Sequence, residues 1–211
     1  MKPDLRHAPL ELWRIASRYL NDLFNLFGAP EEIAARRVFA KDAYDLLSRW
    51  LRAGECLLRE LLLLEASLLG APASGPASNA KTKTARAQPR APKLRAFHSA
   101  NPEDWRVSFK VFVAPACNRQ EKKPAPRRRA KRLSRGHYGA WGIARRCEAL
   151  LRVFNNPGPY AARLARRLFA APQRIASLRK IPAAAHDLIG RESFAAVRAA
   201  VSLAATRFDS S

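Results

Sequence analysis

Apolar residues recur at helical spacing over residues 30–69, and this is the strongest pattern in the chain. The steps between them alternate between three and four for four heptads, which places all of them on one side of an α-helix, as in a coiled coil. The members of this stripe are Ala40, Ala43, Leu47, Trp50, Gly54, Leu57, Leu61, Leu64 and Leu68. The stripe passes through Gly54 without a change of phase, so the pattern predicts a single long helix.

A shorter amphipathic pattern over residues 9–27 predicts a first helix, and Gly28 is suited to end it. Pro30 and the two glutamates after it suit the start of the next helix. The short connection predicts an antiparallel hairpin. The first helix would span about 28 Å and the second about 60 Å. Residues 57–69 therefore need another cover, either the C-terminal helices or a second copy of the chain.

The middle of the chain changes in composition. Residues 71–95 contain no acidic and no aromatic residue and are rich in Ala, Pro, Ser, Lys and Arg, which is typical of a disordered linker. Within the segment 96–117, apolar and polar residues alternate over 105–113, and this predicts a short extended strand. The segment that pairs with this strand is either residues 94–98 or the same strand in a second copy of the chain. The alternative is an extended segment that lies on helices without pairing.

Two segments make up the basic C-terminal part. Residues 118–136 form a low-complexity arm with nine basic residues and one glutamate. Residues 137–211 show helical patterns over 140–154, 159–170 and 191–208, with prolines between them. The sequence therefore predicts a mostly α fold: an N-terminal antiparallel helical hairpin with a long second helix, a disordered basic linker, one short extended strand and a C-terminal bundle of short helices.

The formal net charge of +22 is distributed unevenly along the chain. Residues 1–70 carry ten basic and ten acidic residues, residues 71–140 carry seventeen and three, and residues 141–211 carry twelve and four. The hairpin is thus a charge-neutral unit for packing or oligomerisation. The excess after it indicates a polyanionic partner: nucleic acid, anionic lipid or an acidic protein. A compositional bias of the gene is the alternative, but it leaves the balanced first third unexplained.

The arm and the helix over 159–170 carry the candidate phosphate contacts. Arginine predominates among them, and its planar guanidinium suits phosphate through two hydrogen bonds. The predicted nucleic-acid-binding residues are Lys122, Lys123, Arg127, Arg128, Arg129, Lys131, Arg132 and Arg135 in the arm, and Arg163, Arg166 and Arg167 on the helix. Contacts of this kind give affinity without sequence selectivity. A solvated loop and a surface helix that bind nothing are the alternatives.

The leucine-rich end of the long helix supports a second functional hypothesis. If it is exposed, it can dock a partner helix or form a homodimer, with the basic segments idle or on an anionic membrane surface. The residues of this hypothesis are Trp50, Leu57, Leu61, Leu64 and Leu68. The protein would then be a helical interaction or scaffold module.

Catalytic chemistry is not indicated by the sequence. The four histidines have no partners at metal-ligand or triad spacing, and no glycine-rich phosphate loop is present. We therefore expect a protein that is not an enzyme and has no cofactor or metal. The cysteines, Cys56, Cys117 and Cys147, are widely spaced, which argues against a disulfide scaffold. No apolar run is long enough to span a bilayer, so we expect a cytoplasmic protein.

Overall fold

The computed structural model describes residues 7–70, 101–111, 132–134, 137–175 and 184–209. Its helices are α1 (Leu10–Phe27), α2 (Pro30–Ala35), α3 (Lys41–Leu68), α4 (Trp141–Asn155), α5 (Gly158–Ala170), α6 (Ala184–Ile189) and α7 (Arg191–Asp209). Its strands are β1 (Val38–Ala40), β2 (Arg132–Ser134) and β3 (His137–Gly139), and 3₁₀ turns lie at Pro102–Asp104 and Pro172–Arg174. The predicted mostly α fold class is confirmed. None of the helices in these ranges is both long and apolar enough to span a bilayer.

Helices α1 and α3 form the predicted antiparallel hairpin. Trp13, near the start of α1, donates its indole N–H to Glu65, near the end of α3, at 2.9 Å. Further along α1, the Tyr19 hydroxyl donates to the Trp50 carbonyl oxygen at 2.6 Å. The two helices approach closely there, and only a glycine fits well at position 54, since an added Cβ atom would lie 3.0 Å from the Tyr19 ring. As predicted, α3 continues through this glycine.

The prediction of a single helix over residues 30–69 is wrong at one point. After α2 the chain places Arg37 in the left-handed region, at φ 57°, and forms β1 before α3 begins. The Arg37 carbonyl oxygen accepts a hydrogen bond from the Ala140 N–H at 2.9 Å. This pairing with a distant segment satisfies backbone groups that a helix would otherwise satisfy locally. Ala40 and Ala43, which the stripe included, are exposed.

A small antiparallel sheet joins the segment before α3 to the segment before α4. Its strand order is β1-β3-β2, with Phe39 of β1 opposite Tyr138 of β3. The pairing of β2 with β3 is irregular between Arg132 and Ser134. The Tyr138 ring stacks on Tyr44 of α3 at 4.6 Å between centroids. Because β3 leads directly into α4, the sheet holds the start of α4 against the start of α3.

The leucine-rich end of α3 is buried on all sides. Every residue from 60 to 67 is buried, and the four consecutive leucines at 61–64 place apolar side chains around the whole helix. Helices α5, α6 and α7 pack against α3, together with α1 and α4. Among the predicted interaction residues, Leu57, Leu61 and Leu64 are buried, and Trp50 and Leu68 are partly buried. The C-terminal helices thus provide the cover that the sequence requires, and binding of a second copy stays a prediction.

Glu65 is a buried carboxylate where the chain enters α1. Its exposed fraction is 2%. It accepts hydrogen bonds from the backbone N–H groups of His7 at 2.8 Å and Ala8 at 3.1 Å, in addition to the indole of Trp13. A buried carboxylate destabilises a protein unless it is hydrogen-bonded, and these donors satisfy it. They fix the residues ahead of α1 to the end of α3.

Replacing Glu65 by alanine is expected to lower the free energy of unfolding by about 2–4 kcal/mol, because three N–H donors lose their acceptor. Denaturant unfolding followed by circular dichroism measures the change. Glu11→Ala is the matched control, since it removes an exposed carboxylate of α1 and should change the free energy of unfolding by less than about 0.5 kcal/mol. Equal losses in the two variants would contradict the role assigned to Glu65.

Candidate nucleic-acid interface

Residues 105–111 lie against the helices as an extended segment, which was the alternative to the predicted strand; the 3₁₀ turn at Pro102–Asp104 precedes them. The backbone over 105–111 forms no strand. Exposure alternates along it as in extended chains, and the residues that are buried or partly buried are Trp105, Val107, Phe109 and Val111. The alternation of apolar and polar residues in the sequence therefore matches the alternation of burial. The strand prediction is wrong, because these apolar residues pack on the helical core.

Two arginines fix residues 101–111 to the helices. Arg152 of α4 donates to the carbonyl oxygens of Pro102 and of the residue after it, at 2.6 and 2.8 Å. Its Nε atom also donates to the Glu148 carboxylate at 2.6 Å. Arg59 of α3 donates to the Lys110 carbonyl oxygen at 3.1 Å. Since one contact lies near each end, the segment has a defined position on the helices.

Helix α5 directs its arginines to solvent. Leu164 and Leu168 are buried in the core. Helical periodicity then places the basic residues on the opposite side, where Arg163, Arg166 and Arg167 are all exposed. The helix is therefore amphipathic, with its arginines on the solvent side.

Three adjoining clefts share lining residues, and two of them lie along residues 107–111. A further cleft of about 560 Å³, lined in part by Pro102, Glu103 and Glu148, lies at the other end of the segment. The largest of the three adjoining clefts, about 890 Å³, lies between the segment, α3 and α4. A second, about 280 Å³, lies between the segment and α5, and a third, about 490 Å³, lies at the end of α5. Phe109 and Lys110 line both the first and the second cleft, and Arg163 and Arg167 line both the second and the third. We call the surface formed by these three clefts the basic groove.

Positive charge predominates in the basic groove. The cationic residues that line it are Arg52, Arg59, Lys110, Arg145, Arg146, Arg163, Arg166 and Arg167. Among the described residues of its walls, the one carboxylate is Glu55, which accepts hydrogen bonds from Arg59 at 3.3 Å and from Arg146 at 2.9 Å. One carboxylate cannot neutralise eight cations, so the groove attracts anions.

The structure brings part of the predicted set of phosphate contacts into this groove. Arg163, Arg166 and Arg167 line it. Arg132 belongs to β2, a strand that the sequence analysis did not predict. The other predicted residues of the arm fall outside the described ranges, as does the predicted linker; these arm residues are Lys122, Lys123, Arg127, Arg128, Arg129, Lys131 and Arg135.

Sequence reasoning missed five cations of the groove, which are Arg52, Arg59, Lys110, Arg145 and Arg146. Part of the signal was available, because α4 and α5 together contain six arginines and a single acidic residue. That residue, Glu148, is buried and paired with Arg152. The other part was hidden, because nothing in the local pattern shows that Lys110 lies beside these helices.

The described cysteines are buried and unsuited to chemistry. Cys56 and Cys147 are free thiols in the core, and Cys117 is outside the described part of the chain. Burial raises the pKa of the Cys56 thiol to about 11 and that of the Cys147 thiol to about 12. Both remain protonated near neutral pH, and the thiolate is the reactive form. The described ranges contain no group of three His, Cys, Asp or Glu side chains that could hold a metal.

Iodoacetamide at about pH 8 should label neither Cys56 nor Cys147 in the folded chain, because both thiols are buried and protonated. Mass spectrometry of peptides from the alkylated protein measures the labelling. Both cysteines should become labelled once the chain is unfolded in guanidinium chloride. Labelling of either residue in the folded chain as fast as in the unfolded chain would contradict this environment.

Comparisons with models of protein families, with curated proteins and with solved structures find no match to this chain. The basic groove is therefore the feature from which a function is assigned. Positive charge, adjoining clefts and the exposed arginines of α5 are its distinguishing features.

Proposed function

We propose that this chain is a non-catalytic protein that associates with nucleic acid through phosphate contacts, without sequence specificity. The observation that supports it is the basic groove, in which eight cations and one carboxylate line adjoining clefts. A polyanion held there would neutralise the positive charge that Glu55 leaves in excess. The net charge of +22 supports the same kind of partner.

The side chains of the groove are chemically matched to a phosphate backbone. Seven of the eight cations are arginines, whose guanidinium groups bind phosphate oxygens through paired hydrogen bonds. Each neutralised phosphate releases counterions. The logarithm of the affinity therefore falls with the logarithm of the salt concentration, by about 0.9 per contact on a duplex and about 0.7 per contact on a single strand.

The absence of sequence specificity follows from the kind of contact proposed. Phosphate contacts position a protein on nucleic acid but do not read its bases. The predicted contacts of the arm, such as Arg127, Arg128 and Arg129, would add affinity in the same way. The last described residue before the arm, Val111, lines the 280 Å³ cleft.

Replacing Arg163, Arg166 and Arg167 together by glutamine is expected to weaken binding to a labelled oligonucleotide, because three phosphate contacts are lost. For a single strand, the slope of log affinity against log salt should decrease by about 2. Fluorescence anisotropy across a salt series measures both the affinity and the slope.

The control variant replaces Arg14, Arg18 and Arg191 by glutamine. It removes the same net charge from exposed arginines that lie away from the groove, so its slope should equal that of the unaltered chain. The proposal is overturned if the two variants bind alike, or if the unaltered chain binds with no dependence on salt.

A further inference from the structure

We propose that the nucleic acid taken by the basic groove is single-stranded, and that one of its bases lies in the cleft between Phe109 and Tyr160. This inference rests on the proposed function and makes it more specific. It assigns a role to two aromatic rings that phosphate binding alone does not use.

The cleft has aromatic walls on both sides. Phe109 belongs to the extended segment and Tyr160 to the first turn of α5, and both rings are partly buried and line the same cleft of about 280 Å³. Val111 and Leu164 complete its apolar lining. This volume lies just below the range of about 300–1,000 Å³ for small-molecule pockets, so the cleft suits a single flat group.

Three cations line this aromatic cleft. They are Lys110, Arg163 and Arg167, and no carboxylate is among the described residues of its walls. The Arg163 guanidinium carbon lies 5.9 Å from the centre of the Tyr160 ring. A base in the cleft would therefore have positive charge close by for the phosphates on either side of it.

The position of the aromatic walls is fixed by the fold. The Arg59 guanidinium carbon lies 5.8 Å from the centre of the Phe109 ring, and Arg59 also holds the carbonyl oxygen of the next residue, Lys110. On the other side, Leu164 is 1% exposed and holds α5, with Tyr160, to the core. The cleft is thus formed before any ligand binds, which reduces the entropy lost on binding.

These features distinguish a single strand from a duplex. Within a duplex the faces of the bases are covered by their stacked neighbours, so a ring in the protein has no base face to contact. Proteins that bind single strands combine a positively charged groove with aromatic side chains on which bases stack. The basic groove has both parts, and Phe109 also lines the larger cleft, where the strand can continue between α3 and α4.

The test compares a labelled oligothymidine with a blunt duplex of equal length by fluorescence anisotropy at one salt concentration. The unaltered chain should bind the single strand more tightly. Phe109→Leu and Tyr160→Leu should each weaken binding to the single strand by about 5- to 100-fold, and binding to the duplex by less than about twofold. Phe109→Tyr and Tyr160→Phe retain the rings and should bind the single strand within about twofold of the unaltered chain.

Circular dichroism of each variant checks that the fold is retained. The preference of the unaltered chain for the single strand over the duplex is measured without any variant. Equal affinity for the two polymers, or leucine variants that weaken binding to both equally, would overturn the single-strand inference and leave the proposed function standing. Absence of salt-dependent binding to either polymer would overturn both.

Discussion

The burial of the leucine-rich end of α3 is the interaction on which the rest of the structure depends. A helix that is apolar all round is not stable in water without neighbours on every side. Leu61, Leu62 and Leu63 are each no more than 1% exposed, and full burial of one leucine contributes about 1.5–3 kcal/mol. The hairpin alone cannot supply this burial, because α1 covers one side of α3. The packing of α5, α6 and α7 on α3 supplies the remainder.

This packing also determines where the positive charge is located. Helices α4 and α5 turn their aliphatic residues toward α3, and the three arginines of α5 are left exposed, because burial of an unpaired cation is costly. Arg59 and Arg152 are partly buried and direct N–H donors to the backbone of residues 101–111. The segment held in this way places Lys110 and Phe109 beside the arginines of α5. The basic groove thus results from covering a neutral hairpin with a basic C-terminal part.

Local periodicity predicted best the helices whose burial follows a single face. The pattern over 159–170, for example, corresponds to α5. The break at Arg37 could not be predicted, since β1 is specified by hydrogen bonds to β3, far along the chain. In the candidate site, too, local features were predictable and long-range contacts were not. Composition identified the arginines of α5, whereas Lys110 and Arg145 join them through tertiary packing that no local pattern encodes.

Photocross-linking tests the central claim most directly. A single-stranded oligonucleotide that carries thiothymidine is bound to the full chain and irradiated, and the cross-linked peptides are identified by mass spectrometry. The basic groove predicts cross-links concentrated in residues 101–111 and in Gly158–Ala170, and lost when salt dissociates the complex. Cross-links concentrated in α1, or spread evenly over all arginine-containing peptides, would contradict it.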